Sequence, residues 1–274
     1  MVPYATMDDF SSRPGGALVI GATGGIGAAV AALLAERGSR LGLTHRGARG
    51  RVEPVVAAAA EAAERSGLGE GAGGRPRIAV RQLEVTDAQR CREVVRAFEE
   101  ELGGIHTVVH AAGPHVPMVH LSTVDPDDFA RQLTADAAGF FNVAHAALPA
   151  LRRSRGSLVA VTTAATARFP VRDGLSSGPK GAVEQVVRAL AAEEGRYGVR
   201  ANCVGPGMLT DGMGGQLIST GDLDERALAV ARGNIALRRF GAAADVAEAV
   251  CFLASERAGF ISGQKLDVDG GYGI

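Results

Sequence analysis

A chain of 274 residues with 46% hydrophobic and 22% charged side chains has the balance of a soluble globular protein and the length of one α/β domain. Its net charge of -1 excludes the broad electrostatic pull that nucleic acid or an anionic membrane surface requires. Cys91, Cys203 and Cys251 lie far apart and fit neither a disulfide framework nor a zinc spacing, so a reducing cytoplasm is the expected setting.

The opening stretch MVPYATMDDFSSRPGG has no apolar core and carries acids, so it does not read as a signal peptide. Residues 1–15 are expected as a flexible tail and 16–274 as one domain. ALVIG (17–21) is a buried strand by composition, followed by the helix IGAAVAALLAERG (26–38) with Gly38 ending it. RLGLTHR (40–46) is the next strand and VEPVVAAAAEAAERSG (52–67) the next helix. After a glycine-rich loop come the strand IAVRQLEV (78–85), a helix capped by Asp87, and the strand HTVVHAAG (106–113). The second half repeats the rhythm. A long helix covers 126–153, GSLVAVTTA (156–164) is a strand, and 175–196 is a helix with Pro179 at its start. VRANCVGPG (199–207) is a strand, 245–254 is helical, and KLDVDGG (265–271) is the last strand. The stretch 208–235 breaks the pattern and is a candidate lid. No apolar run is long enough to span a bilayer.

Strand–helix alternation at this spacing predicts one Rossmann-type, doubly wound parallel sheet with helices on both faces. Its ligand crevice lies at the C-terminal ends of the strands. GATGGIG (21–27) joins a strand to a helix, where the helix N-terminus can hold a pyrophosphate and Gly21, Gly25 and Gly27 permit a tight turn. The bland alternative is a glycine-rich structural turn. At the end of the second strand an acid would hold the 2′-hydroxyl of NAD. Thr44 to Arg46 carry none, and Arg46 can pair with a 2′-phosphate, which favours NADP(H).

With these residues in hand, the chain resembles the short-chain dehydrogenase/reductase family over 16–274, and most of all its 3-oxoacyl-carrier-protein reductases. The resemblance rests on GATGGIG, HAAG, GSLVAVTT, VRANCVGPG and the run RRFGAAADVAEAVCFLASERAGFISGQKLDVDGGY. It implies that Gly21, Thr23, Gly25, Ile26 and Gly27 hold the diphosphate. It also implies that Glu84 and Val85 lie beside the adenine and that Ala111, Ala112 and Gly113 line the ribose. Lys180 would hold the nicotinamide ribose, and Pro206 and Gly207 would border the carboxamide. Members associate through the long helices, which implies a homodimer or homotetramer.

The family's catalytic set is Asn, Ser, Tyr and Lys. Carried over, the Lys is Lys180, the Ser position is Thr163 and the Asn position is Asp136. The Tyr position is Ser176, four residues before the lysine in GLSSGPKGAVEQ. A serine is shorter by a ring and a far weaker acid than a phenol of pKa ~10. The segment VTTAATARFPVRDGLSSGPKGAVE also resembles that of 2,4-dienoyl-CoA reductases, which carry Ser-x-x-x-Lys. Their own acid is a tyrosine eleven residues before the serine, and here that place is Ala165.

Two groups stand as replacement acids or bases. His115 follows the fourth strand, where the loop borders the substrate. Asp136 would donate if protonated by burial, and would be ionised and paired beside Lys180. His106, His110, His115 and His120 straddle a strand and a loop rather than one helical face, so no metal is expected. Three readings follow. One is an NADP(H)-dependent reductase of a ketone, enone or enoyl group, with Thr163 and Ser176 holding the oxyanion. The second is a dehydratase, cyclase or isomerase on the same scaffold. The third is a silent partner subunit. The apolar 208–235 stretch has no cluster of arginines, which favours an apolar or polyketide-like substrate.

Overall fold

The computed structural model describes residues 8–47, 49–67, 78–114, 116–211 and 225–274. Among them, seven strands form one sheet: β1 (Gly16–Ile20), β2 (Arg40–His45), β3 (Ile78–Gln82), β4 (Ile105–His110), β5 (Ser157–Val161), β6 (Arg200–Pro206) and β7 (Lys265–Val268). Their order is β3-β2-β1-β4-β5-β6-β7 and every pairing is parallel. Chain direction across the sheet therefore reverses between β1 and β4, which opens the crevice at their C-terminal ends.

Central strands are buried on both faces, which is why they read as continuous apolar runs. Alternate residues serve opposite layers. Val19, Val109, Val159 and Val204 pack toward α1 (Gly25–Glu36) and a late helix, α8 (Ala243–Ala254). Leu18, Ile20, Val108 and Leu158 pack toward α3 (Ala88–Leu102), with Phe98 and Leu102, and toward Phe140 and Val143 on a fifth helix described below. The three cysteines are free and buried in these layers. Local signals set the helix ends. Asp87 accepts from the N–H of Arg90 to start α3, and Gly67 in the left-handed region ends α2 (Glu53–Ser66).

Three expectations change. The helix expected over 126–153 is two: α4 (Pro126–Leu133) and α5 (Gly139–Ser154), joined by a π-turn at Thr134–Ala138. Thr134 Oγ1 bonds back to the Ala130 carbonyl at 2.9 Å, competing with the helical ladder. The extra residue in the turn rotates Asp136 into the interior. The tail boundary also moves. From Asp8 on the chain is docked: Phe10 is buried against His106 in a stack 5.6 Å between centroids, and Asp9 pairs with Arg37 (3.4 Å) and Arg257 (3.0 Å). Residues 1–7 lie outside the described residues. Finally, α6 (Gly174–Glu194) begins earlier than Pro179. The Asp173 carbonyl accepts from both Ser176 and Ser177 N–H and starts the helix, so Pro179 sits in the second turn and forfeits only one ladder bond.

Of the candidate lid, Met208–Asp211 is stitched to the start of α8. Gly241 N–H donates to Met208 O, and the Asp211 carboxylate accepts from Ala243 N–H at 2.9 Å. Residues 212–224 lie outside the described residues, and α7 (Glu225–Gly233) follows.

Candidate active site

The glycine turn sits at the crevice between β1 and β4. Gly21 has φ +83°, and a Cβ there would lie 2.6 Å from Ala112 Cα. Gly27 is packed so that a Cβ would lie 2.3 Å from the Gly21 carbonyl oxygen. Both positions demand glycine. Thr44, buried at the end of β2, anchors the turn: Gly21 N–H donates to its Oγ1 (3.1 Å) and Ala22 N–H to its carbonyl (2.9 Å). Beyond Gly24, α1 has no side-chain cap and no acid in its first turn. Its leading N–H groups, with Thr23, Gly25 and Ile26 partly exposed around them, are therefore free to hold an anion. A pyrophosphate fits this cradle.

The neighbouring positions are equally defined. Arg46 is exposed just past β2, its carbonyl held by Gln82 Nε2 at 2.8 Å. Glu84 is exposed and turns onto Thr86, while the Val85 carbonyl accepts from Asn142 Nδ2 at 3.0 Å. Ala111 N–H donates to Ile20 O (2.9 Å), which ties β4 to β1 just above the turn. Pro206 ends β6, and Gly207 N–H donates to Val268 O at 3.0 Å.

Behind the crevice lies a buried ion pair. Lys180 Nζ donates to Asp136 Oδ1 at 2.7 Å, and Gln132 Nε2 donates to Asp136 Oδ2 at 2.8 Å. Asp136 is 2% exposed and the Lys180 side chain 15%. Asp136 lies in the π-turn, buried and in contact with the lysine. Both oxygens of the carboxylate are thus spent on donors, and the lysine charge is matched at contact distance. A Cβ on Gly113 would lie 3.3 Å from Lys180 Nζ, so β4 ends against this pair.

Thr163 is partly exposed past the end of β5, its Oγ1 accepting from Ala165 N–H at 3.1 Å. Beneath it Thr166 Oγ1 lies 3.2 Å from Thr163 O and donates to Glu184 at 2.9 Å. Ser176 is partly exposed in the first turn of α6. His115 lies outside the described residues.

Gln132, His110 and Asp173 take places at the site that the sequence did not give them. Gln132 and Asp136 are i and i+4, a spacing that marks neighbours on a helix. His110 is buried at the end of β4, edge-on to Phe140 at 5.3 Å, with Nε2 unpartnered among the described residues. Burial, then the Lys180 charge, push it down to about 4, so it is neutral at physiological pH. Asp173, just before α6, is raised to about 6, by burial chiefly, against the opposing pull of Lys180.

A family model described as enoyl-(acyl carrier protein) reductase matches residues 21–273. L-fucose dehydrogenase of Oryctolagus cuniculus is 31% identical, the alignment covering 93% of this chain and 83% of that protein. Versicolorin reductase stcU of Emericella nidulans is 32% identical, covering 93% and 94%. Among solved structures, a short-chain dehydrogenase/reductase variant from Serratia marcescens superposes with a TM-score of 0.83 at 24% identity, covering 96% of this chain and all of that one. With the parallel seven-stranded sheet, the glycine turn at its switch point and these matches along almost the whole chain, the protein belongs to the short-chain dehydrogenase/reductase family.

Proposed function

We propose that the protein is an NADP(H)-dependent reductase of a ketone or conjugated enone or enoyl group on an apolar substrate, with Ser176 standing where the family's tyrosine acid would be. One observation carries the reading. Two consecutive residues at the end of β4 connect the nucleotide turn to the lysine: Gly21 backs onto Ala112, and Gly113 backs onto Lys180 and Asp136. A cofactor held at the turn therefore extends toward Lys180.

In this reading Gly21, Thr23, Gly25, Ile26 and Gly27 hold the diphosphate and Arg46 the 2′-phosphate. Glu84 and Val85 flank the adenine, and Ala111 to Gly113 the ribose. Lys180 holds the nicotinamide ribose, with Pro206 and Gly207 at the carboxamide. When bound, the reduced nicotinamide supplies a hydride pair. Thr163 and Ser176 donate hydroxyl hydrogen bonds to the substrate oxygen as charge develops on it. Asp136 is salt-bridged to Lys180 at 2.7 Å, so the lysine charge that reaches its neighbours is partly compensated. Exposed Phe169 and Val171 precede α6 and Leu121 packs on Gly174 at its start, apolar surface that suits an apolar substrate. The enzyme works in the cytoplasm as a homodimer or homotetramer.

The test is nicotinamide absorbance at 340 nm with 1-tetralone, an acetoacetyl thioester and 2-decenal, using NADPH and NADH. Consumption of NADPH is expected, and Arg46→Ala is expected to cut the NADPH preference by about 10–100-fold through loss of a charge-assisted pair. Turnover of substrate without an absorbance change would replace this reading with the non-redox one. Failure to bind NADPH would leave the silent subunit.

A further inference from the structure

A reductase site without a phenol needs another proton source, and one carboxyl stands on the right face. Asp173, Ser176 and Lys180 are i, i+3 and i+7, which is one stripe of a helix. Asp173 is the N-cap, where the chain enters the helix. Its φ is -99° and ψ 4°, and its carbonyl accepts the N–H of Ser176 at 3.0 Å and of Ser177 at 2.9 Å. The stripe thus runs from Lys180 at the inner end, through Ser176, to Asp173 one turn farther toward the mouth.

At most helix starts an aspartate in this position is consumed as a cap, as Asp87 and Asp125 are here. The Asp173 carboxyl makes no cap bond. It is partly buried, and the neighbouring wall is apolar: Leu121 covers Gly174 so closely that a Cβ there would lie 2.5 Å from its Cδ1. Among the described residues, few charges lie on the elements around it. On α4, Asp128 is paired with Arg131, and Asp127 is exposed at the start of that helix. His120 and Arg172 flank the region and are exposed. Among the described residues Lys180 is the charge that acts on Asp173, and Asp136 engages it at 2.7 Å.

We propose that Asp173 is the proton donor of this site, delivering its proton to the substrate oxygen in the place the tyrosine would serve. The proposal rests on the reductase reading above. In the step the substrate carbon accepts a hydride pair from the reduced nicotinamide. The C=O π bond opens onto oxygen, and that oxygen takes the Asp173 proton to become a hydroxyl. Asp173 is left as a carboxylate and regains a proton from solvent at its exposed edge. One hydride and one proton are consumed per turnover. Burial raises the carboxyl to about 6, which keeps a useful fraction protonated near neutral pH. A free phenol-acidifying lysine is then unnecessary, consistent with Lys180 being paired.

The first test needs neither cofactor nor turnover. Asp173 is titrated by carboxyl ¹³C NMR in the full chain, with the resonance assigned by its loss in Asp173→Asn. A midpoint near 6 is expected. A midpoint in the ordinary aspartate range of ~3.5–4 overturns the proposal. The second test follows kcat/KM for 1-tetralone with NADPH against pH. Wild type is expected to lose activity as pH rises through about 6. Asp173→Asn is expected to lose about 100-fold or more at low pH, with the break abolished, and Asp173→Glu to restore the break. Retention of the wild-type profile in Asp173→Asn, with an unchanged melting temperature, overturns the proposal. If wild type reduces no member of the substrate panel, the reductase reading and the donor role fall together. The NMR midpoint then still separates that failure from a misplaced carboxyl.

Discussion

The two ends of the crevice are built from different materials. The nucleotide end is mostly backbone: the Gly21 turn, the uncapped N–H groups of α1 and the Thr44 anchor. The catalytic end is all side chains from distant segments: Gln132 and Asp136 on one stretch, Lys180 and Asp173 on another, His110 on β4. A backbone site is local and changes little when single side chains change. A side-chain site can be rewired by one substitution, because each charge depends on the partner that compensates it.

The largest expected effect lies at the catalytic end. Lys180→Ala would leave the Asp136 carboxylate 2% exposed without its cation, costing about 3–5 kcal/mol by urea unfolding. Binding of adenosine 2′,5′-bisphosphate, which reports only the nucleotide end, should stay unchanged in that variant. A parallel loss of this binding would break the division drawn above. The next effect is at the other end. Gly27→Ala places a Cβ 2.3 Å from the Gly21 carbonyl oxygen, so the turn must move. A stability loss of about 1–3 kcal/mol and loss of measurable bisphosphate binding are expected, by calorimetry. Wild-type affinity in this variant would remove the turn from the site.

The smallest effect is a pH slope set by His110 and Asp173 at the catalytic end and by His106 at the opposite end of β4. His110 and His106 are held by burial at about 4 and about 3, so below their unfolded value near 6.5 the unfolded chain takes up protons that the native chain refuses. Stability from these two falls as pH falls. Asp173 acts in the opposite sense. Its native value near 6 exceeds the unfolded 3.8, so between those values the native chain keeps a proton the unfolded chain has lost, and stability rises as pH falls through 6. From pH 6 to 5 the balance is roughly one net proton, or about 1.4 kcal/mol per pH unit lost on acidification. Asp173→Asn should make that slope nearly twice as steep in urea-unfolding experiments. An unchanged slope would mean Asp173 titrates normally.

Much of the fold was legible because two-sided burial writes central strands as apolar runs. ALVIG, HTVVHAAG and GSLVAVTT end up as neighbouring strands β1, β4 and β5. The π-turn at Thr134–Ala138 was not legible. Its segment keeps a helical apolar period, and the break comes from a threonine bonding backward, a choice made by tertiary packing. The docking of Phe10 was hidden for a similar reason, since one apolar residue among polar neighbours carries no periodicity. At the site, the glycine turn was readable because its spacing falls between a predicted strand and helix. The Asp136–Lys180 contact joins residues 44 positions apart and came into view only through a family resemblance. Asp173 was not legible, since its helical spacing to Ser176 and Lys180 is common and its burial is set by packing that the sequence does not show.

His110 has a further use that needs no substrate. Its imidazole is sealed in the core, stays uncharged across the usual assay range, and sits in the field of Lys180 and Asp136. With Nε2 free of any hydrogen bond among the described residues, its ring resonances are expected to follow that field more than solvent. The protein therefore carries its own internal voltmeter: a single histidine signal that would shift whenever the charge behind the crevice is rebalanced, by a variant, by a ligand or by a proton.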